Sequence, residues 1–222
     1  MSMLGHYASY VKGELPDGNE EDIIGLFERH ECSPTGVIHV GAHECPELTC
    51  YAKLFDTNVI WVEANGDTYT NSVVPVAEEN GHQAYNFAAY DEDDLELTLY
   101  IPSRSDISSL YSSSEFPHTH TSQVRTKTLD TLVEEEKIDM KNFNFLNVDV
   151  EGAELRVLEG FKNNLCHIQY LFIEVSLGER FADSGATFEI LHNYAVEKGF
   201  ELREISSSIQ TLGWGDAFYV RP

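Results

Sequence analysis

The sequence predicts an α/β domain with a mostly parallel central sheet and helices on both faces. Two observations predict it. Nearly continuous apolar runs recur along the chain, among them VIHV (37–40), NVIWVE (58–63), FNFLNVDV (143–150) and YLFIEV (170–175), as expected of strands buried on both faces. Over the first half, these runs alternate with helically spaced segments in units of roughly 20 to 25 residues, the rhythm of strand–helix–strand units.

Taken in order, residues 1–19 are polar and irregular, and Glu20 to His30 carries apolar residues at helical spacing. Residues 1–35 are thus expected to be an N-terminal segment with a helix, and residues 36–222 the α/β domain. Gly36 to Gly41 reads as the first strand. A helix follows with Pro46 in its first turn, where a missing amide costs nothing. Strand 58–63, a helix over 67–80 ended by Gly81, and strand 82–88 complete the first half. Leu95 to Ile101 alternates, predicting a strand with one exposed face. Residues 102–122, rich in Ser, Thr and His, have no period and read as a long binding loop or lid. The spacing then predicts a strand over 124–127, a helix over 129–136, a strand over 143–150 and a helix over 153–161. A strand over 170–175, a helix over 186–198 and final strands over 200–205 and 217–220 close the chain.

Charge narrows the partners. Against 14 Lys and Arg stand 38 Asp and Glu, a net charge of −24 over 222 residues. So acidic a surface repels phosphate backbones and anionic lipid, so neither nucleic acid nor a membrane surface is an expected partner. The four cysteines (Cys32, Cys45, Cys50, Cys166) show no C-x-x-C pair and read as reduced thiols. With neither an apolar leader nor a stretch long enough to span a bilayer, a soluble cytoplasmic protein is expected.

In open parallel sheets, ligands bind beyond the carboxyl ends of the strands, where strand order reverses. That places Gly41-Ala42-His43, Glu63-Ala64, Ala88 to Asp91, Asp149 to Glu151 and Glu174 at the expected site. Glu63 follows Gly41 by 22 positions, close to the spacing at which an acid takes the ribose hydroxyls of a nucleoside. The turn itself, Gly41-Ala42-His43-Glu44-Cys45-Pro46, lacks G-x-G-x-x-G. Its acids repel phosphates and its proline removes a donor. A nucleoside without phosphates fits better, and S-adenosylmethionine, with its positive sulfonium and amino group, is one. Glu44 and Glu47 could equally serve only to complement the dipole of the following helix.

The segments VIHVGAHECPE, WVEAN, SSL (108–110), TLDTL, FLNVDVEGAELRVLEGF and GWGDAFYV resemble, in this order, the FkbM family of S-adenosylmethionine-dependent methyltransferases. The resemblance spans residues 36–220 and implies a Rossmann-like class I methyltransferase fold with methyl transfer to oxygen. It places the family's glycine turn on Gly41, its ribose-binding acid on Glu63 and its D-x-E-G-x-E motif on Asp149, Glu151, Gly152 and Glu154.

The expected cofactor contacts are therefore Gly41, Ala42, His43, Glu63, Ala64, Ala88, Asp91, Ser109 and Asp149, and the expected catalytic residues Asp149, Glu151 and Glu174. No metal is expected. Displacement at a sulfonium needs no acid for its leaving group; alignment and a base for the acceptor hydroxyl suffice. Asp149 is that base or the group holding the cofactor's amino end; otherwise it caps the next helix, as Glu151 also could. Glu154 reads as a complement to that helix's dipole. Glu174 ends a buried strand, where a carboxylate needs a partner or a ligand. The expected acceptor is a glycan sugar, with a polyketide-like or other small molecule as the alternative. An oxidoreductase on the same fold and a non-catalytic nucleoside- or partner-binding module are the competing classes. Oligomeric state is not legible.

Overall fold

The computed structural model describes residues 20–178 and 180–222; the irregular opening over 1–19 lies outside them. Seven strands form the main sheet: β1 (Val37–Val40), β2 (Val59–Glu63), β3 (Gln83–Asn86), β7 (Phe145–Val148), β8 (Tyr170–Ser176), β9 (Glu201–Ile205) and β10 (Trp214–Val220). Their spatial order is β3-β2-β1-β7-β8-β10-β9. All pairs are parallel except those of β10, which runs antiparallel to both β8 and β9. Strand order reverses between β1 and β7, so the chain leaves their adjacent tips in opposite directions and opens a crevice there.

Alternation along the strands divides the core into two layers. Ile38, Val40, Ile60, Val62, Leu146 and Val148 face one way, onto α4 (Leu129–Glu136), α5 (Glu154–Glu159) and α6 (Phe188–Glu197). Val37, Val59, Trp61 and Phe145 face the other, onto α1 (Glu20–Arg29), α2 (Leu48–Phe55) and α3 (residues 66–80). Helix α1 belongs to this core: the Phe27 ring meets Phe145 edge-on at 5.0 Å. Its end is pinned by Arg29 Nε at 3.1 Å and His30 Nε2 at 2.8 Å from the buried Glu204 carboxylate.

Several predicted boundaries move. Helix α2 begins at Leu48, and Pro46 stands in the turn before it. Left-handed backbone at His43 (φ 45°) and Cys45 (φ 56°) uses those residues to make a sharp bend, not a helical turn. Helix α3 is continuous but widens into a π-helical turn over Tyr69–Val73, because Pro75 lacks an amide and its ring needs room. The expected strand 82–88 splits: β3 stays in the main sheet, while β4 (Ala88–Ala89) joins a second sheet. In that sheet β4 pairs parallel with β6 (His118–Lys127), and β5 (Glu96–Pro102) pairs antiparallel with β6.

Strand β6 corrects the expected loop over 102–122, whose irregular part is residues 103–117. Its first half was invisible to periodicity because His118 to Thr121 are exposed and their order comes from pairing with β5. The last strand likewise starts at Trp214, not 217. The small sheet covers the crevice with Ala88, Leu99, Ile101 and Val124. Among the described residues no helix is long and apolar enough to cross a membrane.

Candidate functional site

The site begins with a glycine that nothing can replace. Gly41 leaves β1 at φ 91°, and a Cβ on it would stand 1.6 Å from the backbone oxygen of Asp149. Its N–H donates to Val62 O at 2.9 Å, and the Asp149 N–H donates to Val40 O at 2.9 Å. The tips of β2, β1 and β7 are thus stitched together at van der Waals limits, which only a residue without a side chain permits.

Glu63 organises the first half of the site. It is 8% exposed, and its two carboxylate oxygens accept the N–H groups of His43 at 2.8 Å and Asn65 at 2.7 Å. Asn65 in turn caps the start of α3. One carboxylate therefore fixes the turns after both β1 and β2. Burial raises its pKa, and these backbone donors work against the rise. His43 Nε2 lies 3.0 Å from Ser105 Oγ, which ties the glycine turn to the 103–117 loop.

Between these turns and the small sheet lies a cleft of about 560 Å³, its open mouth included. Val40, Val62, Ala64, Phe87, Ala88 and Leu99 give it apolar walls, while Glu63, Asp106, Asp149 and Glu151 make its polar lining acidic. No lysine or arginine is among the lining residues. An apolar slot with a buried acid at one end suits an adenine and its ribose, and the surplus of acid suits a cationic group; a pyrophosphate finds no counter-charge here.

The second half of the site is built by β7 and β8. After β7 the backbone takes two successive left-handed steps, Glu151 (φ 54°) and Gly152 (φ 108°), which turn the chain back beside the tip of β8. As a result Asp149, Glu151 and Glu174 each offer an oxygen within 4.8 Å of the others. Arg180 enters from the loop after β8, with Nη1 donating to Glu174 Oε1 at 2.6 Å and standing 3.4 Å from Glu151 Oε2. The Arg180 guanidinium also lies over the Trp214 ring, 4.5 Å from its centroid, and over Phe116 at 5.2 Å. Burial raises the pKa of all three acids. Arg180 opposes the rise in each, and the Glu174 charge adds to it for Asp149 and Glu151. Asp149 is the member exposed to the cleft; protein surrounds it on its other sides, and cleft water tempers its rise.

The sequence-predicted residues thus divide. Gly41, His43, Glu63, Ala64, Ala88 and Asp149 line the cleft, as does Glu151. Ala42 does not: it is fully buried among Cys45, Tyr51 and the helices of the second layer. Asp91 lies outside, accepting from Arg156 Nη1 at 2.8 Å, because the chain after β4 turns away to meet Gly160. Ser109 is a buried tie, its hydroxyl donating to Glu151 O and accepting the Tyr111 N–H. Glu151 caps no helix, since the N-cap of α5 is Ala153. Glu154 is buried and accepts the Gly152 N–H at 2.9 Å, bracing the turn that carries Glu151.

Three contributors, Arg180, Asp106 and Ser105, escaped the sequence. Arg180 could have been sought as the partner that Glu174 requires, but nothing local marks it. Asp106 and Ser105 sit in a stretch without period. Glu47 is held behind the cleft with Oε2 buried and lacking a hydrogen bond. Burial first, then the Asp149 charge, pushes its pKa up to about 7. His39, 3.6 Å away, is no counter-ion, since burial holds its pKa down to about 3.

Comparison with known proteins agrees with this geometry. The model of the methyltransferase FkbM domain matches residues 14–202. No curated protein sequence matches the chain. Among solved structures, the chain is similar to an O-methyltransferase, described as putative, from Klebsiella pneumoniae, with TM-score 0.54 and 8% identity over 98% of this chain and 86% of that one. It is also similar to an S-adenosylmethionine-dependent methyltransferase from Aquifex aeolicus, with TM-score 0.50 and 9% identity over 92% and 90%. The methyltransferase domain of bacterial CtHen1 gives TM-score 0.50 and 12% identity over 93% and 98%. These likenesses establish the class I methyltransferase fold, and the domain match, joined to a cleft suited to a cationic nucleoside, makes the chain a member of the FkbM methyltransferase family with S-adenosylmethionine as its methyl donor.

Proposed function

We propose that the chain methylates a hydroxyl oxygen of a sugar in a glycan. The observation that carries this reading is the position of Asp149, a partly exposed carboxylate on the cleft floor with two further acids beside it. In this reading Glu63 takes the ribose hydroxyls, and Ala64, Ala88 and Leu99 flank the adenine. S-adenosylmethionine supplies an electrophilic methyl group on sulfur. The acceptor oxygen forms the new C–O bond as the C–S bond breaks, leaving the thioether with the electron pair, and Asp149 accepts the hydroxyl proton. Glu151 and Glu174 stand behind Asp149 and keep that end of the cleft acidic. A polyhydroxy acceptor without negative charge suits a rim this acidic.

Thermal unfolding tests the cofactor half first. S-adenosylhomocysteine at a hundred times its dissociation constant adds about 2.7 kcal/mol, a rise of roughly 5 to 10 °C for a domain of this size, whereas NAD should leave the midpoint unchanged. Labelled methyl donor is then offered with a panel of oligosaccharides, and mass spectrometry locates the product. A methyl ether on a sugar is the expected result. Methyl transfer to nitrogen or to a carboxylate, or a midpoint raised by NAD alone, would overturn the reading.

A further inference from the structure

Three acids converge at the tips of β7 and β8, and the protein around them leaves one of their buried oxygens without a hydrogen bond. We propose that Asp149, Glu151 and Glu174 bind a hard divalent cation of the Mg²⁺ or Mn²⁺ class. Their oxygens lie within 4.8 Å of one another. A cation with metal–oxygen bonds of about 2.1 to 2.4 Å spaces its opposite ligands about 4.2 to 4.8 Å apart and its adjacent ones closer. The three groups are therefore near enough for small side-chain adjustments to bring them onto one centre.

An independent observation points into that centre. Glu151 is 6% exposed, and its Oε2 is sealed from solvent with no hydrogen bond. Arg180 Nη1 stands 3.4 Å from it without forming a hydrogen bond, and makes its short bond to Glu174 at 2.6 Å. A buried carboxylate oxygen without a donor is costly, and a cation at this point would satisfy it. The donors agree: three acids converge here, and Arg180 contacts only Glu174 and Glu151. With only oxygen donors and no imidazole or thiolate in the set, the site suits hard cations. Three protein ligands out of six leave coordination positions for water and for a ligand's oxygens, and the exposed Asp149 opens the site to the cleft.

Cation binding stands on these residues alone. Its use, to hold the acceptor hydroxyl and ease its deprotonation, rests on the oxygen-methylation reading above. The two can fail separately, since binding is measured without donor or acceptor. The full chain, stripped with chelator, is titrated with Mn²⁺ while electron paramagnetic resonance follows the free ion. One saturable site, displaced by excess Mg²⁺, is expected. Glu151→Gln and Glu174→Gln should each weaken it at least tenfold, whereas Glu134→Gln, on the exposed face of α4, should not change it. Arg180→Met, which removes the competing guanidinium, should tighten it several-fold. Circular dichroism and the thermal shift with S-adenosylhomocysteine show whether each variant is folded. Diffuse binding that is equal in all variants would be attraction to the acidic surface and would overturn the site. So would tight binding that survives both glutamine substitutions, or no binding in the parent chain together with none in Arg180→Met.

Discussion

Glu63 and Glu151 are buried to nearly the same degree, 8% and 6% exposed, yet they sit in opposite chemical circumstances. Both oxygens of Glu63 receive backbone N–H groups. Glu151 has one oxygen with no hydrogen bond and shares the Arg180 guanidinium with Glu174. The first arrangement is finished before any ligand arrives; in the function proposed above, its carboxylate would be structural on one side and meet the ribose on the other, so that half would be preorganised. The second arrangement is incomplete, and a proton, a cation or an acceptor must finish it. A transferase that binds one invariant donor and one particular acceptor has reason to build its two halves this differently.

Substitutions can break or sharpen that contrast. The largest effect is expected at the seam between the halves. Gly41→Ala forces a Cβ into the Asp149 backbone at a left-handed φ, and should cost about 3 kcal/mol or more. Its melting point should fall and the shift with S-adenosylhomocysteine should vanish, read by calorimetry. Arg180→Met strips the acceptor half of its internal cation. Losing a partner of buried carboxylates costs about 3 kcal/mol, but the homocysteine compound should still raise the midpoint by as much as it does in the parent; a lost shift would mean the halves are not separable. Glu63→Gln attacks the finished half. An amide cannot accept both backbone donors in the same way, and cofactor affinity should fall roughly 10- to 100-fold, about 1.4 to 2.7 kcal/mol, by isothermal titration.

The last effect is a pH dependence, absent at low pH. The Glu47 carboxyl keeps its proton in the folded chain up to about pH 7 but loses it near 4.3 when unfolded. Between those values the folded state holds the extra proton, so this group's contribution declines as pH rises and is gone above pH 7. Glu47→Gln, which never ionises, should match the parent below about pH 4 and melt several degrees higher at pH 8, by an energy of roughly 3 kcal/mol or less. A constant difference across that range would mean Glu47 titrates normally.

The parallel sheet was legible because strands buried on both faces leave unbroken apolar runs, and Val37 to Val40 shows this at every position. The tips followed from the strands, which is why Gly41, Glu63, Asp149 and Glu174 were found together. Periodicity failed where order comes from pairing alone, as in the exposed half of β6. It also misled at Asp91 and Ala42, since the position of a residue in the sequence does not reveal which way a turn departs. Arg180 was unreadable for a third reason. Its meaning lies in Glu174, Glu151 and Trp214, gathered from distant parts of the chain.

Trp214 carries one more consequence. The chain has only two tryptophans. Trp61 is fully buried, its indole N–H donating to His82 at 3.1 Å, so its emission is shielded from quenchers and from ligands alike. Trp214 is half-buried against the Arg180 guanidinium at the edge of the carboxylate cluster. Any event that moves that cation changes the field across one indole and leaves the other untouched. The molecule thus contains its own optical reporter for the acceptor half and an internal standard for it, with no label required.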